Sequence, residues 1–342
     1  MRTGPAAGVE LWVPMASRVD SEQSAPHVPV LLDEVLAALA PLEGARILDG
    51  TFGAGGYSRA LLAAGASVIG VDRDPNVSRF ADTLLAEYPS RFSFVAGAFA
   101  ELDDLAEGPV DGVVLDLGVS SMQLDEAERG FSFMRDGPLD MRMAGAGESA
   151  ADLVNSLPET ELANLLFAYG EERKSRRIAH SIVAARAANP IATTTELARL
   201  IEGAIGRKPG DAHPATRSFQ ALRIAVNDEF GQLVEGLFAS ERLLVEGGRL
   251  VVVTFHSLED RIVKRFFDPE KGGPAASRHL PAQQPDIRRW SAVSKSVKPS
   301  VAEIARNPRS RSAILRHAHR AAAPARTASF ERLGVPRIGG RA

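Results

Sequence analysis

The stretch Leu48-Asp49-Gly50-Thr51-Phe52-Gly53-Ala54-Gly55-Gly56 decides the fold of this 342-residue chain. It is a short apolar run that ends in a carboxylate and continues into a glycine-rich bend, before a helix-like stretch from Ser58 to Ala64. A second apolar run, Val68 to Val71, ends in Asp72. Such a βαβ unit is typical of nucleoside binding, because glycines such as Gly53 let the backbone approach the ligand and Asp72 can accept hydrogen bonds from both ribose hydroxyls.

The bend differs from the dinucleotide fingerprint G-x-G-x-x-G. Counted from Gly53, the third glycine position holds Ser58, and Asp49 lies four residues ahead of the loop. A carboxylate at the loop entrance repels a pyrophosphate, whereas it attracts the sulfonium and ammonium groups of S-adenosylmethionine. The bend therefore favours S-adenosylmethionine over a dinucleotide as the cofactor.

The composition is that of a soluble globular protein, with 45% hydrophobic and 24% charged residues. The length predicts one large domain with an insertion or a second domain. No apolar run reaches the roughly 18 residues of a transmembrane helix, and residues 1 to 25 lack the apolar segment of a signal peptide. We therefore expect a cytoplasmic protein with no membrane contact.

The chain contains no cysteine. This excludes disulfides, thiolate zinc sites and a cysteine nucleophile. Methylation at ring carbon 5 of a pyrimidine, which normally proceeds through a cysteine adduct, is excluded with them.

The net charge of −3 hides a strong asymmetry. Residues 261 to 342 hold 18 Lys and Arg against 5 Asp and Glu, a local charge of +13. Such density predicts contacts with nucleic acid phosphates. We assign these contacts to Arg306 to Arg320, including Arg309 and Arg311, because these arginines flank an apolar strand-like core. We expect residues 321 to 342 and residues 1 to 26 to be disordered.

Strand-like runs predict a doubly wound α/β sheet, because helical patterns separate the first four runs at the spacing of parallel crossovers. They lie at Ile47-Leu48, Val68 to Val71, Phe92 to Val95, Val110 to Leu117, Leu250 to Phe255 and Ser312 to Arg316. The long stretch between the fourth and fifth runs contains only helical patterns. We therefore predict an α/β domain over 27–124 and 221–320, with an inserted helical subdomain over 125–220. A last helix from Pro214 to Val245 should end at Gly247-Gly248, and residues 271 to 300 should form a long loop.

Polar side chains follow four of the predicted strands. Asp49, Asp72, Asp116 and His256 each stand at a carboxyl end, where open α/β sheets bind their ligands. Asp116 is a hydrogen-bond acceptor suited either to the cofactor's amino group or to a target amine. Asp74 and Ser257 precede helical patterns and are expected to cap them.

Arginines mark candidate RNA contacts within the insertion. The stretch Arg129 to Met143 mixes aromatic, sulfur and arginine side chains, which suits stacking on bases and pairing with phosphates, and Arg135 and Arg142 are its strongest candidates. Its phenylalanines serve equally well to pin the loop to the core. Arg217 shares a helix face with Gln220 and is a further substrate candidate. His317 and His319 have no accompanying carboxylate, so no metal is expected.

Seven sequence blocks together resemble the bacterial ribosomal RNA small-subunit methyltransferase H family. They are Asp49 to Gly53, Asp116 to Ser121, Arg129 to Met143, Tyr169 to Arg173, His213 to Gln220, Phe255 to Arg261 and Asn307 to Ser312. The resemblance covers about His27 to Arg316. It implies a Rossmann-like class I S-adenosylmethionine-dependent methyltransferase fold, and N(4) methylation of a cytidine in the decoding region of 16S ribosomal RNA within the small subunit.

The resemblance also implies a set of cofactor contacts, at Gly55, Gly56, Tyr57, Asp72, Phe99, Asp116 and Gln123. At position 57 the family usually has histidine, so the detail of that contact is open. The helical subdomain is implied to hold the RNA. The oligomeric state is open, with a dimer as one option.

The expected mechanism is direct transfer of the methyl group to the cytidine amine, without a covalent enzyme intermediate. Asp116 is the first choice for the group that contacts the amine, and His256 the second. Two alternatives stay open at this point: an amine methyltransferase that acts on DNA or small molecules, and a non-catalytic ribosome assembly factor that has kept the fold.

Overall fold

The computed structural model describes residues 29–207, 210–267, 288–336 and 338. Within these residues, seven strands form one sheet in the order β3-β2-β1-β4-β5-β7-β6. They are β1 (Arg46–Asp49), β2 (Ser67–Asp72), β3 (Phe92–Ala96), β4 (Val110–Asp116), β5 (Leu244–Thr254), β6 (Trp290–Ser291) and β7 (Ile314–Arg320). The first five strands pair in parallel, and β7 pairs antiparallel with β5 and β6. The predicted doubly wound, mostly parallel sheet is confirmed, and all six predicted strands are present.

Helices cover both faces of the sheet because successive strand residues point to opposite sides. On one face, Ile47 and Val114 pack with α1 (Leu32–Leu39), α2 (Gly56–Ala63) and α3 (Ser78–Glu87). On the other, Leu48 and Val113 pack with α4 (Leu102–Leu105) and with the two helices that flank β5 in sequence, α11 (Glu229–Leu243) and α12 (Ser257–Phe267). Both faces of the central strands are therefore buried.

The segment between β4 and β5 is helical, as predicted, and has a hydrophobic core of its own. It contains α5 (Ser121–Asp125), α6 (Ala150–Ser156), α7 (Glu159–Gly170), α8 (Ser175–Arg186), α9 (Thr194–Ile205) and α10 (Thr216–Asn227). The Thr193 hydroxyl caps α9 by accepting a hydrogen bond from the Glu196 backbone. Phe131, Met141 and Met143 are buried in this core. Part of the stretch that was predicted to contact RNA thus pins the loop instead.

The prediction of one long helix from Pro214 to Val245 is wrong. The chain breaks at Asp228, which has a left-handed φ of 47°, and α10 and α11 lie on either side of it. Phe219 on α10 is buried in the core of the helical segment, whereas Leu237 on α11 is buried against the sheet. Ile224, near the end of α10, already packs in the core that contains Leu237, so the break lies where the chain passes from one core to the other. Strand β5 begins directly after α11, so Gly247-Gly248 lie inside a strand and do not end the helix.

The expectation of a disordered tail is wrong for residues 321–336. Beyond α13 (Val301–Arg306) and β7, the chain packs on the sheet's helices and forms α14 (Phe330–Leu333). Arg326 pairs with the buried Glu241 of α11, and Leu333 is buried. A buried carboxylate requires a partner, and the tail supplies it. Residues 1–26 and most of the predicted 271–300 loop lie outside the described residues.

In the part of the chain that the structure describes, no helix is both long and apolar enough to span a membrane.

Candidate active site

Four polar side chains lie at one edge of the sheet. Asp49, Asp72 and Asp116 are the last residues of β1, β2 and β4, and His256 follows the end of β5. Because β1 pairs in parallel with β2 and β4, and β4 with β5, these four strands end at the same edge. The structure thus brings together the strand-end residues that the sequence singled out.

The bend between β1 and α2 requires glycine. Gly53 and Gly55 have φ values of 54° and 76°, in the left-handed region that favours glycine. A Cβ atom on Gly55 would lie 2.8 Å from the Phe52 ring, and one on Gly56 would lie 2.4 Å from Pro29 Cγ. Gly55 directly precedes α2, and the N–H groups of Gly53 and Gly55 donate to the Asp72 carboxylate and to the Phe52 carbonyl oxygen.

Asp72 is oriented by two backbone donors. Its Oδ2 accepts a hydrogen bond from the N–H of Gly53 at 2.7 Å, and its Oδ1 accepts one from the N–H of Asp74 at 2.8 Å. Each carboxylate oxygen keeps further acceptor capacity. Burial raises the pKa of Asp72, against the lowering effect of the two N–H donors. The arrangement suits a carboxylate that accepts hydrogen bonds from two hydroxyl groups.

Asp49 is fully buried beneath the bend. Its Oδ2 accepts a hydrogen bond from the Ser58 hydroxyl at 2.7 Å, and its Oδ1 accepts one from the N–H of Thr51 at 3.3 Å. Burial raises the pKa of Asp49 to about 6, and the negative charge of Asp72 adds to this. A carboxylate in this position acts on a bound cation through its electric field rather than by exposed contact.

Asp116 has the least satisfied carboxyl group of the site. Its Oδ1 is buried and has no hydrogen-bond partner among the described residues, while its backbone N–H donates to the Thr51 hydroxyl at 2.7 Å. Burial, followed by the negative charges of Asp49 and Glu259, holds the pKa of Asp116 well above its ordinary value. A buried acceptor without a partner leaves a hydrogen bond for a ligand to make.

His256 faces a carboxylate that the sequence reasoning missed. Its Nε2 lies 3.0 Å from Glu259 Oε1, although the pair is not aligned as a hydrogen bond. Its Nδ1 faces the backbone N–H of Glu259 at 3.5 Å. Both ring nitrogens thus lie close to Glu259 in the first turn of α12, and the catalytic role predicted for His256 stays a prediction. The three-residue spacing from His256 to Glu259 is the feature of the sequence that could have indicated this contact.

Glu259 is buried but ionised. Its Oε2 accepts hydrogen bonds from the backbone N–H groups of Phe255 and His256 at 2.8 and 3.2 Å. Burial opposes its charge, but His256, Arg223 and the Phe255 N–H outweigh burial and hold the pKa of Glu259 below its ordinary value. Arg223 also donates two hydrogen bonds to Glu229, at 2.7 and 2.8 Å. The side chains of three residues, Glu229, His256 and Glu259, each place one atom of a metal-binding type within 4.8 Å of the others. Arg223 already donates hydrogen bonds to both oxygens of Glu229.

Tyr57 is enclosed in the protein core, whereas Phe99 is partly buried. The Tyr57 ring is buried in the core beside α1 and α2, and its hydroxyl donates to the Val30 carbonyl oxygen. Phe99 packs partly buried against Gly236, where an added Cβ would lie 2.5 Å from the ring. Their predicted contacts with the cofactor stay predictions.

The amide of Gln123 is engaged within the protein. It donates to Asp74 Oδ2 at 2.8 Å, and its oxygen accepts from the N–H of Ser120 at 3.0 Å. Asp74 accepts the N–H of Asn76, as expected of a cap, but it also pairs with Arg129 at 2.9 Å. Gln123 therefore stabilises the wall of the site in this structure. No local sequence pattern signals a pair that lies 55 residues apart.

Ser257 does not cap α12 as expected. Its hydroxyl donates to Glu171 Oε2 at 2.8 Å, and Arg261 pairs with the same carboxylate at 3.4 Å. Glu171 lies just after α7, so these contacts join the helical segment to α12 beside the strand ends.

The predicted RNA-binding arginines fall into two groups. Arg135 and Arg311 have exposed side chains. Arg142 pairs with Asp140 at 2.6 Å, Arg309 pairs with Asp125 at 2.6 Å, and Arg217 donates to the Glu171 carbonyl at 3.3 Å. The second group is held by contacts within the protein, so the first group is freer to reach phosphates.

A family model described as the MraW methylase family matches residues 24–321. The chain belongs to the MraW methylase family. Three similar relatives each bear the name "Ribosomal RNA small subunit methyltransferase H". The one from Cereibacter sphaeroides is 58% identical over 326 residues, which cover 94% of this chain and 98% of the relative.

The other two relatives are similarly close. The relative from Dinoroseobacter shibae is 57% identical over 319 residues, 92% of this chain and 96% of its own length. The relative from a Chelativorans species is 55% identical over 315 residues, 92% of this chain and 93% of its own length. Membership of the MraW methylase family agrees with the cofactor predicted from the glycine bend, S-adenosylmethionine.

Proposed function

We propose that this member of the MraW methylase family transfers the methyl group of S-adenosylmethionine to the exocyclic amine N(4) of a cytidine in the decoding region of 16S ribosomal RNA. The names of the close relatives support ribosomal RNA of the small subunit as the substrate. The observation that carries the chemistry is the buried Oδ1 of Asp116, which has no partner among the described residues and lies at the end of β4 beside the glycine bend.

The residues of the site fit the proposed cofactor. The bend at Gly53 and Gly55 allows close approach to a nucleoside, and Asp72 presents two oriented carboxylate oxygens for its ribose. The buried Asp49 contributes a negative potential at the bend, which suits a cation. When bound, S-adenosylmethionine supplies an electrophilic methyl group, whose carbon–sulfur bond breaks as the carbon–nitrogen bond forms.

Asp116 acts on the nucleophile in this proposal. The lone pair of an exocyclic amine is delocalised into the ring, so an acceptor for its protons favours the pyramidal nitrogen that can attack. The Asp116 carboxylate accepts that hydrogen bond and gives the departing amine proton a place to go. Glu259 and His256 hold the neighbouring strand end in position. No covalent intermediate with the protein forms.

The contact between Asp116 and the amine is tested by Asp116→Asn and Asp116→Ala, with Asp104→Asn on the exposed surface of α4 as the matched control. We expect both Asp116 variants to bind S-adenosylmethionine and to lose about 100-fold or more of their turnover, a typical loss for an acid–base group. The control should keep full activity. Unchanged turnover in Asp116→Ala would refute the role of Asp116.

The substrate is tested by transfer of labelled methyl groups to immature small subunits, naked 16S ribosomal RNA and duplex DNA. We expect labelled N(4)-methylcytidine in the ribosomal substrates after nuclease digestion and chromatography. Label found only in DNA would overturn the proposed substrate. Cofactor binding without transfer to any substrate would indicate a non-catalytic assembly factor.

A further inference from the structure

A cavity of about 440 Å³, termed the tail cavity, lies between the end of α12 and the tail that follows β7. Pockets that bind small molecules have volumes of roughly 300–1,000 Å³, so the tail cavity is large enough for a group the size of a nucleotide. The tail, which the sequence predicted to be disordered, forms one side of it. Its polar lining residues are Arg265, Arg289, Arg326, Thr327, Ser329 and Arg332.

The tail cavity is positively charged. Four of its lining residues are arginines, and none of the described residues that line it is acidic. The charge of Arg326 is balanced by the buried Glu241, whose Oε2 lies 3.0 Å from Arg326 Nε. Arg265 and Arg332 form no ion pair within the described part of the chain. Their two charges are therefore left for an anionic ligand.

Arg265 is held in place by the end of α14. Its Nη1 donates to the carbonyl oxygen of Leu333, the last residue of that helix, at 3.1 Å. The next residue, Gly334, has a left-handed φ of 66°, and a Cβ atom there would lie 1.4 Å from Arg265 Nη1. Glycine thus lets the guanidinium group lie against the backbone. A guanidinium group has five N–H donors, so the bond to Leu333 leaves others for a ligand.

The tail cavity is separate from the candidate active site. Helix α12 begins at Ser257, beside the strand ends, and Arg265 lies eight residues later, about 12 Å further along the helix axis. Arg326 contacts Glu241 near the end of α11, where the chain enters the first residues of β5. The tail cavity therefore lies toward the opposite edge of the sheet from Asp116.

We propose that the tail cavity binds a phosphate group of the RNA substrate, in a part of the RNA that lies outside the active site. The inference rests on the proposed function, because it takes the substrate to be RNA. A guanidinium group can pair with a phosphate through two parallel N–H donors. Arg265 and Arg332 supply the charge, and the hydroxyl groups of Thr327 and Ser329 are further hydrogen-bond donors.

A phosphate bound this far from the methyl group is held equally in the bound substrate and in the transition state. Such uniform binding lowers KM without changing kcat. The tail cavity therefore anchors the RNA, and its loss should be seen in RNA affinity and KM rather than in the rate of methyl transfer.

Arg332→Ala tests the anchor, with Arg59→Ala as the control that loses the same charge. Arg59 is exposed on α2, which covers the other face of the sheet. We would measure binding to naked 16S ribosomal RNA at several salt concentrations. Arg332→Ala should lower the affinity about fivefold and reduce the slope of log K against log salt by about 0.7, the value for one phosphate of a single strand. KM should rise by the same factor, with kcat and the affinity for S-adenosylmethionine unchanged.

Arg59→Ala should match wild type in RNA affinity, salt slope and KM. An Arg332→Ala protein with the salt slope and RNA affinity of wild type would overturn the proposal.

Cross-linking provides a test that keeps all arginines in place. Because the chain contains no cysteine, a single introduced cysteine can carry a photoreactive group. Thr327→Cys places the group at the tail cavity, and Thr83→Cys places it on the exposed surface of α3 as the matched control. We expect the label at position 327 to cross-link to 16S ribosomal RNA and the label at position 83 to give only background. Background cross-linking at both positions would contradict the proposal.

A free nucleotide is the other source of a phosphate group. Uridine monophosphate serves as the probe, with binding measured by calorimetry in wild type and Arg332→Ala. Saturable binding that requires Arg332, together with an unchanged RNA affinity in Arg332→Ala, would show that the cavity takes a free nucleotide and that the proposed RNA contact is wrong.

Failure of this inference is distinct from failure of the proposed function. If wild type methylates the cytidine and Arg332→Ala does so with the same KM, the anchor is wrong and the proposed function stands. If RNA binding depends on Arg332 but wild type methylates no cytidine, the anchor stands and the proposed function is wrong.

Discussion

Replacement of Asp49 by asparagine should remove a pH-dependent destabilisation of the fold while it weakens the cofactor site. Asp49 is fully buried, and its two oxygens accept hydrogen bonds from the Ser58 hydroxyl and the Thr51 N–H. An asparagine amide can keep both contacts, because its oxygen accepts from Thr51 and its NH₂ group donates to the Ser58 oxygen. Asp49→Asn thus removes a buried charge, while the buried Ser58 hydroxyl loses its acceptor, so the pH dependence of the stability difference isolates the effect of the charge.

The magnitude follows from the pKa of Asp49, which burial raises from an ordinary value of 3.8 to about 6. At 1.36 kcal/mol per pH unit this corresponds to about 3 kcal/mol. Because the pKa is higher in the folded protein, the contribution of Asp49 to stability is fully present below about pH 4 and is lost as the pH rises through about 6. Asp49→Asn does not titrate, so its stability relative to wild type should increase by about 3 kcal/mol across that window.

Urea denaturation of both proteins between pH 4.5 and pH 8 covers about 2 kcal/mol of this change. Asp104→Asn is an exposed control that should change stability by less than about 0.5 kcal/mol. The affinity of Asp49→Asn for S-adenosylmethionine should fall by about tenfold or more, since a buried negative charge near the cation is lost. A stability difference that is the same at pH 4.5 and pH 8 would refute the reasoning about burial.

Three further predictions concern other parts of the chain. Arg326→Met leaves Glu241 buried without its ion pair, so it should destabilise the fold by about 3–5 kcal/mol in thermal or urea unfolding, and an unchanged midpoint would show that the tail is not anchored there. Tyr57→Phe removes one buried hydrogen bond to the Val30 carbonyl oxygen, so it should lower the free energy of unfolding by about 1 kcal/mol. The affinity for S-adenosylmethionine should change less than threefold. A large loss of affinity would show that the Tyr57 hydroxyl contacts the cofactor. Arg311→Ala should weaken RNA binding and reduce its salt dependence by about one phosphate contact. Arg142→Ala removes an ion pair within the protein, so it should change the salt dependence of RNA binding less. Filter-binding assays at several salt concentrations measure both effects, and a larger change in Arg142→Ala would contradict the grouping.

Local patterns predicted the sheet and its edge because they act over few residues. An apolar run that ends in an acid, as at Asp49 and Asp72, specifies both a strand and its carboxyl end, and parallel pairing then places the ends together. The glycine bend is equally local, since Gly55 needs a left-handed φ directly before α2. Such features could be assigned from sequence without knowledge of the rest of the chain.

Breaks and partners set by packing were not predictable in this way. The helical pattern runs across Asp228 without a proline or glycine at the break, and no local signal marks the point where the chain passes from one hydrophobic core to the other. The sequence of residues 321–336 is basic and weakly apolar, which predicts disorder. In the structure, the ion pair between Arg326 and the buried Glu241 fixes this segment to α11. The partner of Asp74, Arg129, lies in another element 55 residues away.

By itself, the sequence determined which residues stand at the strand ends, because strand, bend and helix signals are local and the parallel sheet aligns them. Only the tertiary structure decided the chemical state of those residues. Asp72 receives two backbone donors, Asp49 receives a hydroxyl and one N–H, and Asp116 receives no partner for its buried Oδ1 among the described residues. The physical reason is that the charge of a carboxyl group depends on burial and on neighbouring charges, and these come from residues distant in sequence, such as Glu259 beside Asp116.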